Sequence, residues 1–313
     1  MNRKEYLITL ITVIVLSVAL AVTNAIWNYI ENWLYLIIIY MVAYMYLRYR
    51  LSSPLQMFST KFNMLVDYDL EIEEAEQFAQ KAFDNAPTRN IKSLYAMYLG
   101  MAKYYNGKYE EAIKEMHLID LKRLNPVYHI LVFAFSAYAA FELGDDEEFS
   151  TNLERIKSAE PRLTARYKAF VASYIHLLSA MQNVDTDLEG YKAAIETHFG
   201  KHDGYISTKL IYNYRMALYH EKAGDTLEAD KCLAFVIANG KNHHMVQRSR
   251  ERFRDLVNVE DYVYDYEAEQ AKLQQNKLET SETVENISDI EEVETVDQES
   301  ETDTEPEETD IDR

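Results

Sequence analysis

Few residues in this sequence have the type and spacing that catalysis or metal binding requires. His198 and His202 are four positions apart, a spacing that places two imidazoles on one face of a helix. Gly200 lies between them and the segment has the character of a helix end, so we predict no metal site there. His243 and His244 are adjacent in the chain and cannot share a helical face.

The single cysteine, Cys232, falls among the apolar positions of a predicted helix. We interpret it as a buried and unreactive thiol, because a nucleophilic cysteine needs partial exposure and a nearby positive charge. The sequence contains no Gly-rich phosphate loop, no G-x-S-x-G motif and no H-E-x-x-H motif. It therefore predicts a protein that is not an enzyme and that binds no cofactor and no metal.

Negative charge is concentrated at the C-terminal end of the chain. Of the formal net charge of −20, residues 261–313 carry −17, from 20 acidic and 3 basic residues. Residues 279–313 also contain no aromatic residue and are rich in Ser and Thr, so we predict a disordered acidic tail. Residues 260–278 are predicted to extend the preceding fold as a helix. A chain this acidic is not expected to bind nucleic acid.

The elements that position these residues are predicted to be helices throughout. The 313 residues include 8 glycines and 5 prolines against 25 tyrosines, which is too few turn residues for an all-β domain. We predict an all-α fold with a transmembrane helical hairpin in residues 1–50, a helical-repeat domain in residues 51–259, and the extension and tail described above.

Two uncharged runs predict the membrane hairpin. Residues 6–27 form a run of 22 uncharged residues, long enough for one bilayer crossing, and residues 33–47 form a second run of 15. A cleavable signal peptide is the alternative for the first run, and a buried core helix is the alternative for the second. The hydroxyls of Tyr40 and Tyr44 are expected to bond to Thr or Ser residues of the first helix.

Basic residues predict the orientation of this hairpin. Arg3 and Lys4 precede it, Arg48 and Arg50 follow it, and the connector between the two runs contains no basic residue. Because basic residues stay on the cytoplasmic side, we expect a cell-membrane protein with two spans and with both termini in the cytoplasm.

After the hairpin the pattern changes to amphipathic helices, with Ser53 and Pro54 predicted to begin the first of them. Self-similarity then follows at a period in the middle thirties. The stretch "LGMAKYYNGKYEEAIKEM" resembles the tetratricopeptide repeat (TPR), with Leu99 and Gly100 in the first helix, Gly107 at the turn and Ala112 in the second helix. Partial copies contain Gly144 with Phe149 and Pro161, Gly224 with Ala229, and Ala75, Ala79, Ala82 and Pro87.

The resemblance covers about residues 55–240 and implies four or five stacked helix pairs in one α-solenoid. An unrelated antiparallel helix bundle is the alternative. Small residues at Gly100 and Ala112 would let two helix backbones approach, and Gly107 would end a helix in the left-handed conformation.

The resemblance also implies a ligand groove, because TPR proteins bind ligands on the concave face that the first helices line. Carried over by position, the predicted partner-binding residues are Met101, Tyr104, Tyr105, Tyr138, Phe141, Tyr214 and Leu218. The Lys and Asn clamp of some TPR cochaperones is absent, so the expected partner segment is apolar or helical. The alternative is that the chain's own helices fill this face.

One basic cluster stands out in the stretch "KNHHMVQRSRERFRD". It contains Arg248, Arg250, Arg252 and Arg254, which we interpret first as a solvated helix that caps the repeats. Contact with anionic lipid headgroups, or with the acidic tail, is the functional alternative for these arginines.

The predicted function is a membrane-anchored cytoplasmic scaffold whose TPR-like domain binds other proteins, including membrane-associated ones, while the hairpin contacts lipid. A subunit of a membrane enzyme or transport complex, with an unrecognised site, is the alternative. The short hairpin followed by a helical-repeat body also resembles membrane morphology determinants of Gram-positive cocci, of the staphylococcal type. That resemblance implies a role in cell division, cell morphology and envelope synthesis.

Overall fold

The computed structural model describes residues 3–27, 33–159, 164–200 and 205–265, and all regular structure within these ranges is helical. The predicted all-α fold class is therefore confirmed for the described residues. The predicted acidic tail, most of the predicted helical extension, His202 and Pro161 lie outside them. Of the extension, Val259–Tyr262 forms one turn of 3₁₀-helix and residues 263–265 are not helical.

The described ranges contain twelve α-helices: α1 (Arg3–Trp27), α2 (Trp33–Asn63), α3 (Ile72–Asp84), α4 (Arg89–Tyr105), α5 (Tyr109–His117), α6 (Pro126–Leu143), α7 (Asp146–Ala159), α8 (Ala165–Gln182), α9 (Leu188–Phe199), α10 (Ile206–Ala223), α11 (Thr226–Asn239) and α12 (His244–Arg252). A π-helical turn, Met64–Tyr68, follows α2, and a 3₁₀ turn, Leu121–Arg123, precedes α6.

The two N-terminal helices contact each other and expose apolar side chains. The Tyr40 hydroxyl on α2 donates a hydrogen bond to the Ser17 carbonyl oxygen on α1 at 3.0 Å. The tyrosine side chain therefore bonds to the backbone of the first helix. Exposed side chains include Ile8, Ile11, Ile14, Leu16 and Val18 on α1. These apolar side chains of α1 are therefore not covered by the rest of the described chain.

By length and composition, one helix within the described ranges is apolar enough to cross a membrane, and it is α6 (Pro126–Leu143). Eight of its residues are buried among other helices, as in a core helix. In α1 the apolar stretch Ile11–Ala25 is shorter. The two spans in residues 1–50 thus stay a prediction. The apolar helix α6 lies among the other helices of residues 51–259.

The predicted helix start at Ser53 and Pro54 is wrong, because α2 runs without interruption from Trp33 to Asn63 with Pro54 inside it. Proline is tolerated in a first turn but removes one backbone hydrogen bond from a helix interior, which is why the pattern favoured a start. The end of α2 is part of the domain interior, since Phe58 and Phe62 are 5% and 1% exposed. The predicted boundary at residue 50 therefore falls inside a continuous helix.

Downstream of α2 the helices pack mainly against their neighbours in the chain, most extensively in the pairs α10–α11, α6–α7, α3–α4 and α4–α5. Such neighbour packing is the arrangement expected of helical repeats, because no single pair can bury its apolar face alone. Three apolar clusters follow one another, the first from α2 to α4, the second from α4 to α6 and the third from α6 to α11.

Four glycines lie at helix ends or at a helix crossing. Gly107, Gly144 and Gly224 have φ values of 76°, 70° and 81° and end α4, α6 and α10 in the left-handed conformation. At Gly100 an added Cβ would lie 2.7 Å from the Cε atom of Met116 on α5, so this glycine permits a close helix crossing. Ala112 is 1% exposed on the same helix pair.

Contacts between the beginning and the end of the repeat domain add to this neighbour packing. Ser207 on α10 donates a hydrogen bond to Asp67 at 2.9 Å, and burial raises the pKa of that carboxyl. Lys241, after α11, pairs with Glu71 at 3.4 Å. The Tyr109 hydroxyl on α5 lies 2.6 Å from Nδ1 of His244 on α12. Packing between chain neighbours alone would not make these contacts, so α10, α12 and the residues between α11 and α12 also lie against α5 and the segment that follows α2.

Candidate functional site

The predicted groove residues lie on three helices and face the interior of the domain. Tyr104 on α4 and Tyr214 on α10 are buried, at 3% and 5% exposure. Partly buried residues complete the set: Met101, Tyr105, Tyr138, Phe141 and Leu218. The structure therefore brings these residues together, but it does not leave them on an open surface.

Two histidines at the start of α12 cover this face. The His244 ring lies 5.0 Å from the ring of Tyr104 and 6.4 Å from that of Tyr214, and the His243 ring lies 5.5 Å from that of Tyr105. Both histidines are buried, at 1% exposure for His243 and 7% for His244. In the described residues the start of α12 therefore packs over Tyr104, Tyr105 and Tyr214.

Burial of the two histidines keeps them neutral. Loss of solvation lowers the pKa of each imidazole well below its usual value. The neighbouring His244 lowers the pKa of His243 further, against a smaller opposite effect of Glu142, and the charges of Arg215 and Arg248 lower the pKa of His244. The Nδ1 atom of His243 accepts a hydrogen bond from the Met245 backbone N–H at 3.3 Å and so caps α12. Neutral imidazoles in this position act as packing and capping groups.

A buried ion pair lies directly beneath this face. Arg215 on α10 approaches Glu142 on α6 with Nη2 2.9 Å from Oε1, and the two side chains are 4% and 6% exposed. The Tyr214 hydroxyl donates to the other oxygen of Glu142 at 2.9 Å, and the Arg215 guanidinium stacks 4.9 Å from the centre of the Phe141 ring. Two full charges in the interior are stable only with such partners, so this pair joins α6 to α10 tightly.

Three arginines of the basic cluster lie on α12 and Arg254 follows it, and the four differ in their contacts. Arg252 makes a two-fold hydrogen bond to the Glu221 carboxylate, at 3.0 and 2.8 Å. Arg248 donates to the Glu142 carbonyl oxygen at 3.4 Å and lies 3.8 Å from Glu251. Arg250 and Arg254 have exposed side chains. Arg248 and Arg252 thus bond to neighbouring helices, whereas Arg250 and Arg254 are exposed to solvent.

A partly enclosed cavity of about 100 Å³ adjoins the groove residues. Its lining includes Tyr104, Tyr105, Tyr138, Tyr174 and Arg215 from four helices. The cavity is aromatic in character and contains one cationic group at its wall.

The residues singled out for catalysis are placed in ordinary structural roles. His198 lies in the last turn of α9 with its Nδ1 atom 2.7 Å from the Ser173 hydroxyl, and Gly200 is the C-cap of this helix. Burial raises the pKa of the Cys232 thiol to about 11, which disfavours the reactive thiolate. Within the described ranges no group of three or more His, Cys, Asp and Glu residues is arranged to hold a metal ion.

Glu142 and Arg215 were missed by reasoning from the sequence. The one available signal is that each is a charged residue inside an otherwise apolar stretch, "AYAAFEL" and "YNYRMALY". Such a residue is expected to have a buried partner. Which partner it has depends on the closure of the fold, since the two are 73 positions apart.

No protein-family model matches this chain, and comparisons with curated proteins and with solved structures likewise found no match.

Proposed function

We propose that this protein is a membrane-anchored scaffold, in which α1 and α2 insert into the bilayer and a TPR-like solenoid, from the end of α2 to α12, binds other proteins. The observation that carries the proposal is the apolar surface of α1 and α2, together with the continuation of α2 into the core of the repeat domain. The resemblance to membrane morphology determinants favours cell division and envelope synthesis as its setting.

The apolar surface of α1 and α2 supports insertion. Both helices have exposed large apolar side chains, and five of them are between 43% and 64% exposed: Leu7, Ile8, Val15, Ile37 and Met45. Exposed apolar surface of this extent is unfavourable in water and marks a membrane or protein interface. A hydrocarbon environment would solvate all sides of a two-helix hairpin at once, which a single protein partner would not.

The continuity of α2 supports a fixed orientation of the scaffold relative to the membrane. Thirteen residues separate Arg50, at the predicted membrane exit, from Asn63 at the helix end, which is about 20 Å of helix. The ring of Phe58 lies 4.9 Å from that of Phe78 on α3 and 4.5 Å from that of Tyr95 on α4. Because no flexible linker intervenes, the repeat domain would be presented to membrane partners in one orientation, which raises its effective concentration toward them.

The groove residues are not assigned to partner binding in this proposal. Binding of a segment at Tyr104 or Tyr214 would require α12 to leave its place, which would expose the Glu142–Arg215 pair. The outer surfaces of the helix pairs, and the exposed Arg250 and Arg254, remain for partner contact. The stacked helix pairs provide an extended surface of this kind.

We expect both termini to lie in the cytoplasm, and cysteine labelling tests this together with insertion. In a Cys232→Ser background, cysteine replaces Asn28 in the connector or Ser281 near the C-terminus. An impermeant thiol reagent applied to intact cells should label the cysteine at position 28 and not that at position 281, because basic residues flank the hairpin on the cytoplasmic side.

A chain that lacks residues 3–50 serves as the companion experiment, since it should leave the membrane fraction. Labelling at position 281 would place the repeat domain outside the cell and contradict the topology. Retention of the shortened chain in the membrane fraction would contradict the assignment of the anchor to α1 and α2.

A further inference from the structure

The cavity beside the groove residues has the composition of a small-molecule site. It lies where α4, α6, α8, α9 and α10 meet, and it is partly open to the outside. Apolar walls come from Leu177, Met181 and Ile211, and aromatic ones from Phe135 and Phe199. Such a combination of apolar walls and a few convergent polar groups is typical of ligand pockets.

The charge at the cavity wall selects the sign of a ligand. Arg215 lines the cavity, and no acidic side chain is among the lining residues. The Nη2 atom of Arg215 lies 2.9 Å from Oε1 of Glu142, and a guanidinium carries five N–H donors, so this one contact does not use them all. A cation in this space would meet a like charge, so an aromatic cage for quaternary ammonium is disfavoured despite the tyrosines.

Four tyrosines add neutral donors around the same space. Tyr104, Tyr105, Tyr138 and Tyr174 all line the cavity. Burial raises the pKa of Tyr105 and Tyr138 well above the usual value. The charge of Asp67 and then neighbouring phenols raise the pKa of Tyr105 further, and Tyr174 raises that of Tyr138. Their hydroxyls therefore stay protonated and can donate to an oxyanion, as charge-assisted hydrogen bonds.

The volume limits the ligand to a small molecule. A cavity of about 150 Å³ accommodates benzene, so about 100 Å³ fits a body of roughly three to five carbon atoms. Only the two carboxylate oxygens of such a ligand must lie beside the donors. Its aliphatic body can then lie against the apolar walls.

We propose that this cavity binds a small aliphatic monocarboxylate, with the carboxylate held by Arg215 and by the tyrosine hydroxyls and the hydrocarbon body against Leu177, Met181 and Ile211. This site goes beyond the proposed scaffold function, and it would make the centre of the repeat domain responsive to a metabolite.

Ligand-observed NMR titration of the full-length chain in a mild non-ionic detergent tests the proposal. The probes are isobutyrate, its neutral isostere isobutanol, and tetramethylammonium. We expect saturable binding of isobutyrate with a dissociation constant of about 1 mM, which is within reach of a ligand of this size, and no saturable binding of the other two.

Variants assign the binding to the cavity. Tyr138→Phe and Tyr105→Phe remove a hydroxyl but keep the ring that packs against Phe135, so both should fold and melt as the parent chain does. Each should weaken isobutyrate binding by about tenfold, the effect of losing one hydrogen bond to a charged group. Tyr95→Phe, a matched change in the cluster of α2 to α4, should leave binding unchanged.

The outcomes that overturn the proposal are distinct. Isobutanol bound as tightly as isobutyrate would show an apolar void, and saturable binding of tetramethylammonium would show a cation cage. Isobutyrate binding that neither Phe variant weakens would lie elsewhere on the chain, and absence of saturation up to about 100 mM would exclude the site. None of these results depends on the membrane topology, so the scaffold proposal is tested separately.

Discussion

Replacing Arg215 with methionine is expected to lower the free energy of unfolding by about 3–5 kcal/mol, because the change leaves the Glu142 carboxylate buried without its counter-ion. The two side chains are 4% and 6% exposed, so water cannot replace the lost partner. Urea unfolding of the full-length chain in detergent, followed by circular dichroism, measures the loss as a shift of the midpoint.

Two further variants show that this loss comes from the uncompensated charge. Lys157→Met breaks an ion pair with Glu154 in which both side chains are exposed, at 40% and 68%, and should cost less than about 1 kcal/mol. The double change Arg215→Met, Glu142→Leu should recover part of the loss, since a buried pair can be replaced by apolar residues of similar volume. If Arg215→Met costs no more than Lys157→Met, the ion pair is not formed in the folded protein.

The helical character of the chain and the ends of helices such as α4 and α10 are predictable, because local chemistry determines them. Scarcity of Gly and Pro predicts helices, and a glycine after an amphipathic run predicts a helix end, as Gly107 and Gly224 show with their positive φ. The position of Pro54 was less predictable, since proline is acceptable both at a helix start and, with the loss of one hydrogen bond, inside a helix.

The state of the groove was not predictable from the sequence. An apolar and aromatic face at Tyr104 and Tyr138 is the same pattern whether a partner or the chain itself covers it. The deciding contact is that of Tyr109 with His244, which are 135 positions apart, and it depends on the small rotations accumulated over every helix pair between them. For the same reason the partnership of Glu142 with Arg215 appears only in three dimensions.

Acidification from pH 7 to pH 5 is expected to destabilise the repeat domain through His243 and His244. Both imidazoles have a pKa lowered by burial, whereas in the unfolded chain each titrates near 6.5. The unfolded state therefore binds more protons as the pH falls below about 6.5, and the stability present above that pH is lost. Each histidine contributes about 1.4 kcal/mol per pH unit, so the two together should cost up to about 4 kcal/mol at pH 5. Burial raises the pKa of Asp67, which acts in the opposite sense, since the folded state takes up that proton more readily.

Urea midpoints measured at intervals between pH 7 and pH 5 give this slope, and matched variants assign it. His243→Asn keeps a side chain that caps α12, and His244→Gln keeps a side chain that can hydrogen-bond to the Tyr109 hydroxyl, so neither removes the packing of α12 entirely. The double variant should be less stable at pH 7 but should lose most of the dependence on pH, because no buried imidazole remains to be protonated on unfolding. His176→Gln, at an exposed position on α8, should leave the slope as it is. A slope that survives in the double variant would mean that α12 does not bury these two rings in solution, and the groove of Tyr104, Tyr105 and Tyr214 would then be open to a partner after all.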